Sequence, residues 1–406
     1  MLIDLGPLRR HRDYRLLYIG QATSFIGSML TIVALPYQMY QLTKSSFAVG
    51  MISSVELVAL LLAALWGGAF ADAFDRRRLL IGSELLLMLC SATLAWNSSR
   101  AHPSITLLYV VAALMSAWNG FHRPALEAMT PRLVEKDELA AVAALNGLRY
   151  SIAAIGGPAL AGYLLAQVGV PATYLIDVGS FAVSLVALWR MRTLSTPVAE
   201  GQPAERPGLR SIYTGLRFAL GQPELVGTYV VDLIANMFAM PWALYPALAE
   251  RFGGPRAIGW LYAAMSLGSL VMTLTSRWTG RVKRHGLAVI IAAGLWGLFT
   301  AALGYAPSLP LAVLCLAAAG ASDMVSGLFR MTIWNQTIPS HLRGRLAGVE
   351  MISYMTGPLL GNARAGWVAS LFGLRPAILS GGLLCTAGVA VCALLLPRFL
   401  RYRASS

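Results

Sequence analysis

Stretches of about 20 apolar residues recur along the whole chain, each long enough to cross the ~30 Å hydrocarbon core of a bilayer as one helix. Inside hydrocarbon a backbone must satisfy all of its own hydrogen bonds, and runs of this length do so as helices. Hydropathy places twelve spans, the first near 16–41 and the last near 375–396. The expectation is an all-α polytopic membrane protein. The charge count agrees. The 32 Lys and Arg with 18 Asp and Glu in 406 residues are about half of what a soluble domain with ~25% charged residues would carry. A soluble enzyme is excluded.

A net charge of +14 would suggest nucleic acid if it were gathered on a soluble surface. Its distribution says otherwise. With the N-terminus inside, 25 of the 32 Lys and Arg fall on the cytoplasmic side and five fall outside, with Arg149 and Arg364 within spans. This follows the positive-inside rule and puts both termini in the cytoplasm of a plasma-membrane protein. The expected partners are therefore lipid, protons and a small-molecule substrate, with no nucleic acid, and a monomer suffices. Cys90, Cys315, Cys385 and Cys392 lie in apolar runs without CxxC spacing, and the five histidines form no HExxH. No metal, cofactor or enzymatic activity is expected. The absence of a GxxxxGK[ST] phosphate loop argues against a primary pump.

Residues 191–223 interrupt the pattern. Pro197, Gly201, Pro203 and Pro207, with Glu200 and Glu205, make a polar linker. Leu209, Ile212, Tyr213, Leu216 and Leu220 then share one helical face, as in an interfacial helix on the cytoplasmic leaflet. The linker separates an N-terminal six-helix half, 1–190, from a C-terminal half, 224–406. The halves echo each other. Ala34-Leu-Pro-Tyr-Gln-Met-Tyr40 matches Ala239-Met-Pro-Trp-Ala-Leu-Tyr245, and Gly157-Pro158 matches Gly357-Pro358, at offsets of 205 and 200. Same-sense repeats of six spans are the arrangement of major facilitator halves.

The loop after the second span, Gly68-Ala-Phe-Ala-Asp72-Ala-Phe-Asp75-Arg76-Arg77-Arg78, resembles the major facilitator signature G-x-x-x-D-[RK]-x-G-[RK]-[RK]. It departs from that signature at Ala73 and Asp75. The resemblance implies a conformational lock. Gly68 would let two helices approach, Asp72 would oppose a helix N-terminus or an arginine, and Arg76 and Arg77 would hold the cytoplasmic side shut. Arg123 and its counterpart Arg330 are assigned to the same lock. A basic loop that only sets topology would explain the arginines but not Asp72. In span five, Gly147, Gly156, Gly157, Pro158 and Gly162 are similar in part to the glycine-proline motif of drug/proton antiporters. Proline frees a carbonyl and glycine thins the helix, giving a bendable, closely packed element. Helix packing alone would account for it equally well.

Wider resemblance rests on Leu8-Arg-Arg-His-Arg-Asp-Tyr-Arg-Leu-Leu17, Arg123-Pro124, Asp232 ahead of Met240-Pro241, and Asp323-Met-Val-Ser-Gly-Leu-Phe-Arg330. Through these the chain is similar to the enterobactin-exporter branch of the major facilitator superfamily, which shades into macrolide and multidrug efflux proteins. The likeness implies twelve helices in two parallel-repeat six-helix halves. It also implies proton-driven export of a bulky, partly aromatic molecule, a catecholate siderophore or a drug. Proton symport into the cell, and a non-transporting receptor on the same fold, are the alternatives.

An ionisable residue at a helix centre costs about 2.5–3.5 kcal/mol by insertion scales, so each one in a span is a functional candidate. Glu56 lies near the midplane of an apolar run, where proton coupling needs an acid; pairing with Arg149 is its structural alternative. Asp232 and Asp323 are the next coupling candidates, unless they pair with Arg123 and Arg330. Glu84 and Asp177 fall on spans that are peripheral in this fold and are expected to be structural, and Glu350 to cap or pair near Arg345. Arg149, Asn146, Asn119, Trp118, Tyr37, Trp242 and Arg364 are the candidate lining of a mostly apolar substrate cavity.

Overall fold

The computed structural model describes residues 4–73, 76–192, 217–339 and 342–403, without the side chains of 64–73, 76, 128, 343–345 and 347–354. The long helices of the first part are α1 Arg12–Thr43, α2 Ser46–Ala73, α3 Arg76–Ser98, α4 Ile105–Met129, α5 Leu139–Gln167 and α6 Gly169–Arg190. Those of the second are α7 Pro223–Ala239, α8 Pro255–Leu274, α9 His285–Leu303, α10 Leu309–Thr337, α11 Arg343–Phe372 and α12 Leu374–Leu395. Among the described residues there is no strand. All of these helices except α11 are long and apolar enough to cross a membrane, α7 together with its continuation to Arg251. The chain is an all-α polytopic membrane protein.

Large apolar side chains on the outer faces bear this out. Trp189 and Leu394 are each 81% exposed, which hydrocarbon tolerates and water does not. Most of the expected interfacial helix, 209–216, lies outside the described residues. Its last turn, 217–220, is helical, and Ala219 is buried against Leu342 and Leu346.

Two compact units can be recognised. Unit one is Met1–Thr43, Val55–Ala204 and Gly253–Ala263; unit two is Lys44–Ser54, Glu205–Phe252 and Ala264–Ser406. The first turns of α2 thus belong to unit two and those of α8 to unit one. Inside unit one, α1 packs on α5 and α6, and α3 on α4 and α6. Inside unit two, α7 packs on α11 and α12, and α9 on α10 and α12. The second set is the first advanced by six helices.

The core of unit one at the end that carries the N-terminus is Tyr14, Leu17, Leu80, Met129, Leu145 and Leu188. In unit two, α7 stops at Ala239, ahead of Met240-Pro241, because proline cannot supply the N–H that a continuing helix needs. A short 3-10 turn, Trp242–Leu244, and a helix, Tyr245–Arg251, carry the chain onward. The carbonyls left open by the break are met from neighbouring helices. The Arg364 guanidinium donates to the carbonyls of Met237 and Phe238 at 3.1 Å each. Thr300 Oγ1 donates to the Ala239 carbonyl at 3.1 Å, and Asn362 Oδ1 accepts from the Ala243 N–H at 3.1 Å.

Candidate functional site

In unit two, α7 and α10 bring three of the expected residues together. Arg330 of α10 forms an ion pair with Asp232 of α7, and its other terminal nitrogen lies 3.9 Å from Asp323. Asn236, one turn along α7, donates to Asp232 Oδ1 at 2.9 Å. Asp232 is buried, whereas the Asp323 side chain is 37% exposed. A buried charge must be paired, and the helical spacing of Asp232 and Asn236 lets one element supply both an anion and a donor that holds it. Arg330, assigned from sequence to the cytoplasmic lock and also offered as a partner of these acids, is buried beside them.

Arg364, a candidate for the cavity lining, bonds to the backbone of α7. Both of its bonds go to the α7 carbonyls described above, and its guanidinium lies 5.3 Å from the Phe238 ring centre. It completes the backbone of a broken helix, which in hydrocarbon is obligatory. Trp242 stands half-buried at the start of the 3-10 turn that follows.

Unit one holds the other candidates. Glu56 on α2 is partly exposed, and among the described residues no ion pair joins it to Arg149 or another base. Ser116 Oγ of α4 donates to its backbone carbonyl at 2.8 Å. Tyr262 of α8 is near enough to feel its charge. Arg149 on α5 sits by the Tyr14 and Tyr18 hydroxyls, and its buried Nε has no hydrogen-bond partner. Asn146, one turn earlier, and Tyr37 on α1 are partly buried. Trp118 packs on Phe121 with ring centres 5.7 Å apart. Asn119 is exposed and donates to its own helix, at the Met115 carbonyl.

Of the expected lock, the side chains of Gly68, Asp72 and Arg76 lie outside the described residues. Arg77 donates to the carbonyls of Leu188, Trp189 and Met191, closing the C-terminal end of α6 within unit one. Arg123 is 51% exposed and lies 3.8 Å from Glu127 on its own helix. The glycine-proline motif divides in two. A side-chain carbon on Gly157 would fall 2.4 Å from Met29 Cβ, and one on Gly162 would fall 2.9 Å from Gly259 of α8, whereas Gly147 and Gly156 face open space. Pro158 is buried within α5, beside the close contact.

The two acids expected to be structural are buried and bonded. Asp177 accepts from Thr31 at 2.6 Å, Ser91 at 2.7 Å and Ser180 at 3.2 Å. Glu84 accepts from Gln21 and, at 2.9 Å, from Ser184, and faces His122 at 3.4 Å. The sequence reading did not single out Gln21, His122, Asn236 or Asn362 for these contacts. A polar residue inside an apolar span was the signal that could have found them.

A family model described as "Transmembrane secretion effector" matches residues 3–403. Curated relatives include the enterobactin exporter EntS of Shigella boydii serotype 18 and that of Escherichia coli O81. Each is 29% identical over 382 residues, covering 91% of this chain and 88% of the relative. Among solved structures, the chain is similar to a bacterial homologue of the human lysosomal transporter Spinster, with TM-score 0.76 and 13% identity over 99% of both chains. It is also similar to a bacterial homologue of the iron transporter ferroportin, with TM-score 0.72 and 14% identity over 96% of this chain and 98% of that one. At these identities the structural likeness concerns the fold.

Proposed function

The chain belongs to the transmembrane secretion effector family of the major facilitator superfamily, secondary transporters of small molecules, and from that premise we propose that it is a proton-coupled exporter at the plasma membrane. Glu56 carries the proposal. An acid ten residues into a membrane helix, partly exposed and without an ion pair among the described residues, has no structural bond to lose when it takes up or releases a proton. Protons moving inward through Glu56 would drive cargo outward by alternating access of two six-helix repeats. The repetition of helix pairings from unit one in unit two supports twelve spans in two same-sense halves, joined by the 191–223 linker. Both termini are assigned to the cytoplasm on the distribution of basic residues, and the working unit to a monomer without enzymatic activity.

The cargo is assigned as a bulky, partly aromatic molecule, a catecholate siderophore of the enterobactin kind. Likeness to enterobactin exporters over 91% of the chain supports this class, and the unpartnered Nε of Arg149 supports an anionic group on the cargo. The test is efflux from loaded cells of enterobactin, a macrolide and ethidium, each with and without a protonophore. Protonophore-sensitive efflux of enterobactin is expected. Efflux that ignores the protonophore would overturn proton coupling, and accumulation in place of efflux would reverse the direction.

A further inference from the structure

The Glu84 side chain has no exposure at all. Four helices converge on it: α1 brings Gln21, α4 brings His122, α6 brings Ser184, and Glu84 itself stands on α3. All three contacts reach the same carboxyl oxygen, Oε1. The other, Oε2, is buried without a hydrogen-bond partner. A carboxylate fully ionised in that position would leave a charged oxygen in a dry core with nothing to bond it, which is among the costliest arrangements a protein can hold. A proton on the carboxyl removes the charge from Oε2, whereas one on the facing imidazole offsets the charge from the Oε1 side and leaves Oε2 unbonded.

Of the three groups on Oε1, the imidazole is the one with an exposed edge. Gln21 is 3% exposed and Ser184 has no exposure, and neither titrates. His122 carries an imidazole, which has a ring nitrogen able to accept a proton, and its side chain is 14% exposed. The other ionisable groups on the elements packed about Glu84 are held elsewhere. Asp177, about two helical turns before Ser184 on α6, is bonded by Thr31, Ser91 and Ser180. Arg77 on α3 is bound to the end of α6, and Arg123 on α4 is exposed beside Glu127. On α1 the Tyr18 hydroxyl donates to the Leu145 carbonyl, and Tyr14 sits near Arg149.

We propose that Glu84 and His122 form a second proton-carrying site of the transporter, reached through the exposed edge of the imidazole. His122 takes a proton from the aqueous side and becomes an imidazolium paired with the Glu84 carboxylate. Transfer of that proton to Glu84 leaves a neutral imidazole and a neutral carboxylic acid, and the reverse sequence returns the proton to water. A movement of α4 against α3 would break the 3.4 Å contact and trap or release the proton, which is how such a pair would take part in a transport cycle.

The inference deepens the proton-coupled reading and rests on it for its role, but the site is tested with protons alone, without cargo. The measurement is infrared spectroscopy of the purified protein in lipid during exchange from water into deuterium oxide. The parent should show the C=O band of a buried carboxylic acid that exchanges, Glu84→Gln should lack that band, and His122→Gln should slow its exchange by about tenfold or more, as loss of a proton relay requires. A band unchanged in Glu84→Gln, or exchanging at the parent rate in His122→Gln, would overturn the proposal. If Glu84→Gln does not insert, the His122→Gln exchange rate decides by itself. A failed efflux assay would defeat the export reading and leave the infrared result standing.

Discussion

Asp232 and Glu56 are both acids in membrane helices, yet their surroundings assign them opposite consequences. Asp232 is buried and bonded to Arg330 and Asn236, so Asp232→Asn leaves the buried guanidinium with only the 3.9 Å contact to Asp323. Breaking one side of such a pair costs about 3–5 kcal/mol. Thermal unfolding of purified Asp232→Asn should show that loss, and Asp232→Asn with Arg330→Gln should recover part of it. Asp323→Asn, at 3.9 Å and 37% exposure, should cost no more than about 1 kcal/mol. If Asp323→Asn proves the more damaging, the pairing described for unit two is wrong. Glu56→Gln should unfold at the parent temperature, because no ion pair is lost, and should abolish pH-driven efflux. Normal pH-driven efflux by this variant would exclude Glu56 as the coupling group. The sequence made Glu56 conspicuous as a charge in an apolar run. It could not distinguish an acid with an ionic partner from one without, because Arg330 and His122, which face Asp232 and Glu84, lie on other helices. No local spacing encodes that Arg330 meets Asp232, or that His122 meets Glu84.

Helix boundaries were legible for a different reason. A bilayer imposes one length on every span and one composition on every outer face, so hydropathy finds the helices; it carries the seventh span to about residue 248, whereas α7 stops at Ala239 ahead of Met240-Pro241. What replaces the missing backbone bonds was not legible, since Arg364 and Asn362 come from α11 and Thr300 from α9. Arg364→Met removes the donors to two carbonyls of α7, and leaving buried acceptors unsatisfied costs about 1–3 kcal/mol each. A drop in unfolding temperature larger for Arg364→Met than for Thr300→Val is expected; the reverse order would return Arg364 to the cargo site. The glycines of α5 offer a second test at this scale. Gly162 and Gly259 touch backbone to backbone, so Gly259→Leu must push α8 from α5 and should destabilise by about 1–3 kcal/mol. Gly147→Ala and Gly156→Ala meet open space and should be neutral or slightly stabilising, since alanine favours helix by about 1 kcal/mol. Equal damage from all three would mean that the motif acts through bending and that contact is secondary.

For the molecule as a transporter, the decisive property is which charges stay available once the structure has satisfied its own backbone and buried pairs. Sequence offered two arginines within the spans for an anionic cargo. Arg364 is committed to the α7 carbonyls and Arg330 to Asp232. Arg149 differs, because its Nε has no partner and its neighbours are the hydroxyls of Tyr14 and Tyr18. Tyr14 is itself without a hydrogen-bond partner at its hydroxyl. On the catecholate reading proposed above, Arg149 is the arginine that would meet an anionic oxygen of the cargo, since arginine bonds such oxygens in a planar, two-pronged manner. Hydrogen bonds to a charged group contribute about 1.5–3 kcal/mol, so Arg149→Gln should weaken enterobactin efflux by about tenfold or more. Efflux of ethidium, a cation with nothing to gain from an arginine, should be unchanged or faster. Both cargoes measured in the same vesicles, under the same imposed pH gradient, separate recognition from coupling. If Arg149→Gln lowers enterobactin and ethidium efflux equally, Arg149 acts on the conformational cycle, and the anionic character assigned to the cargo has to be abandoned.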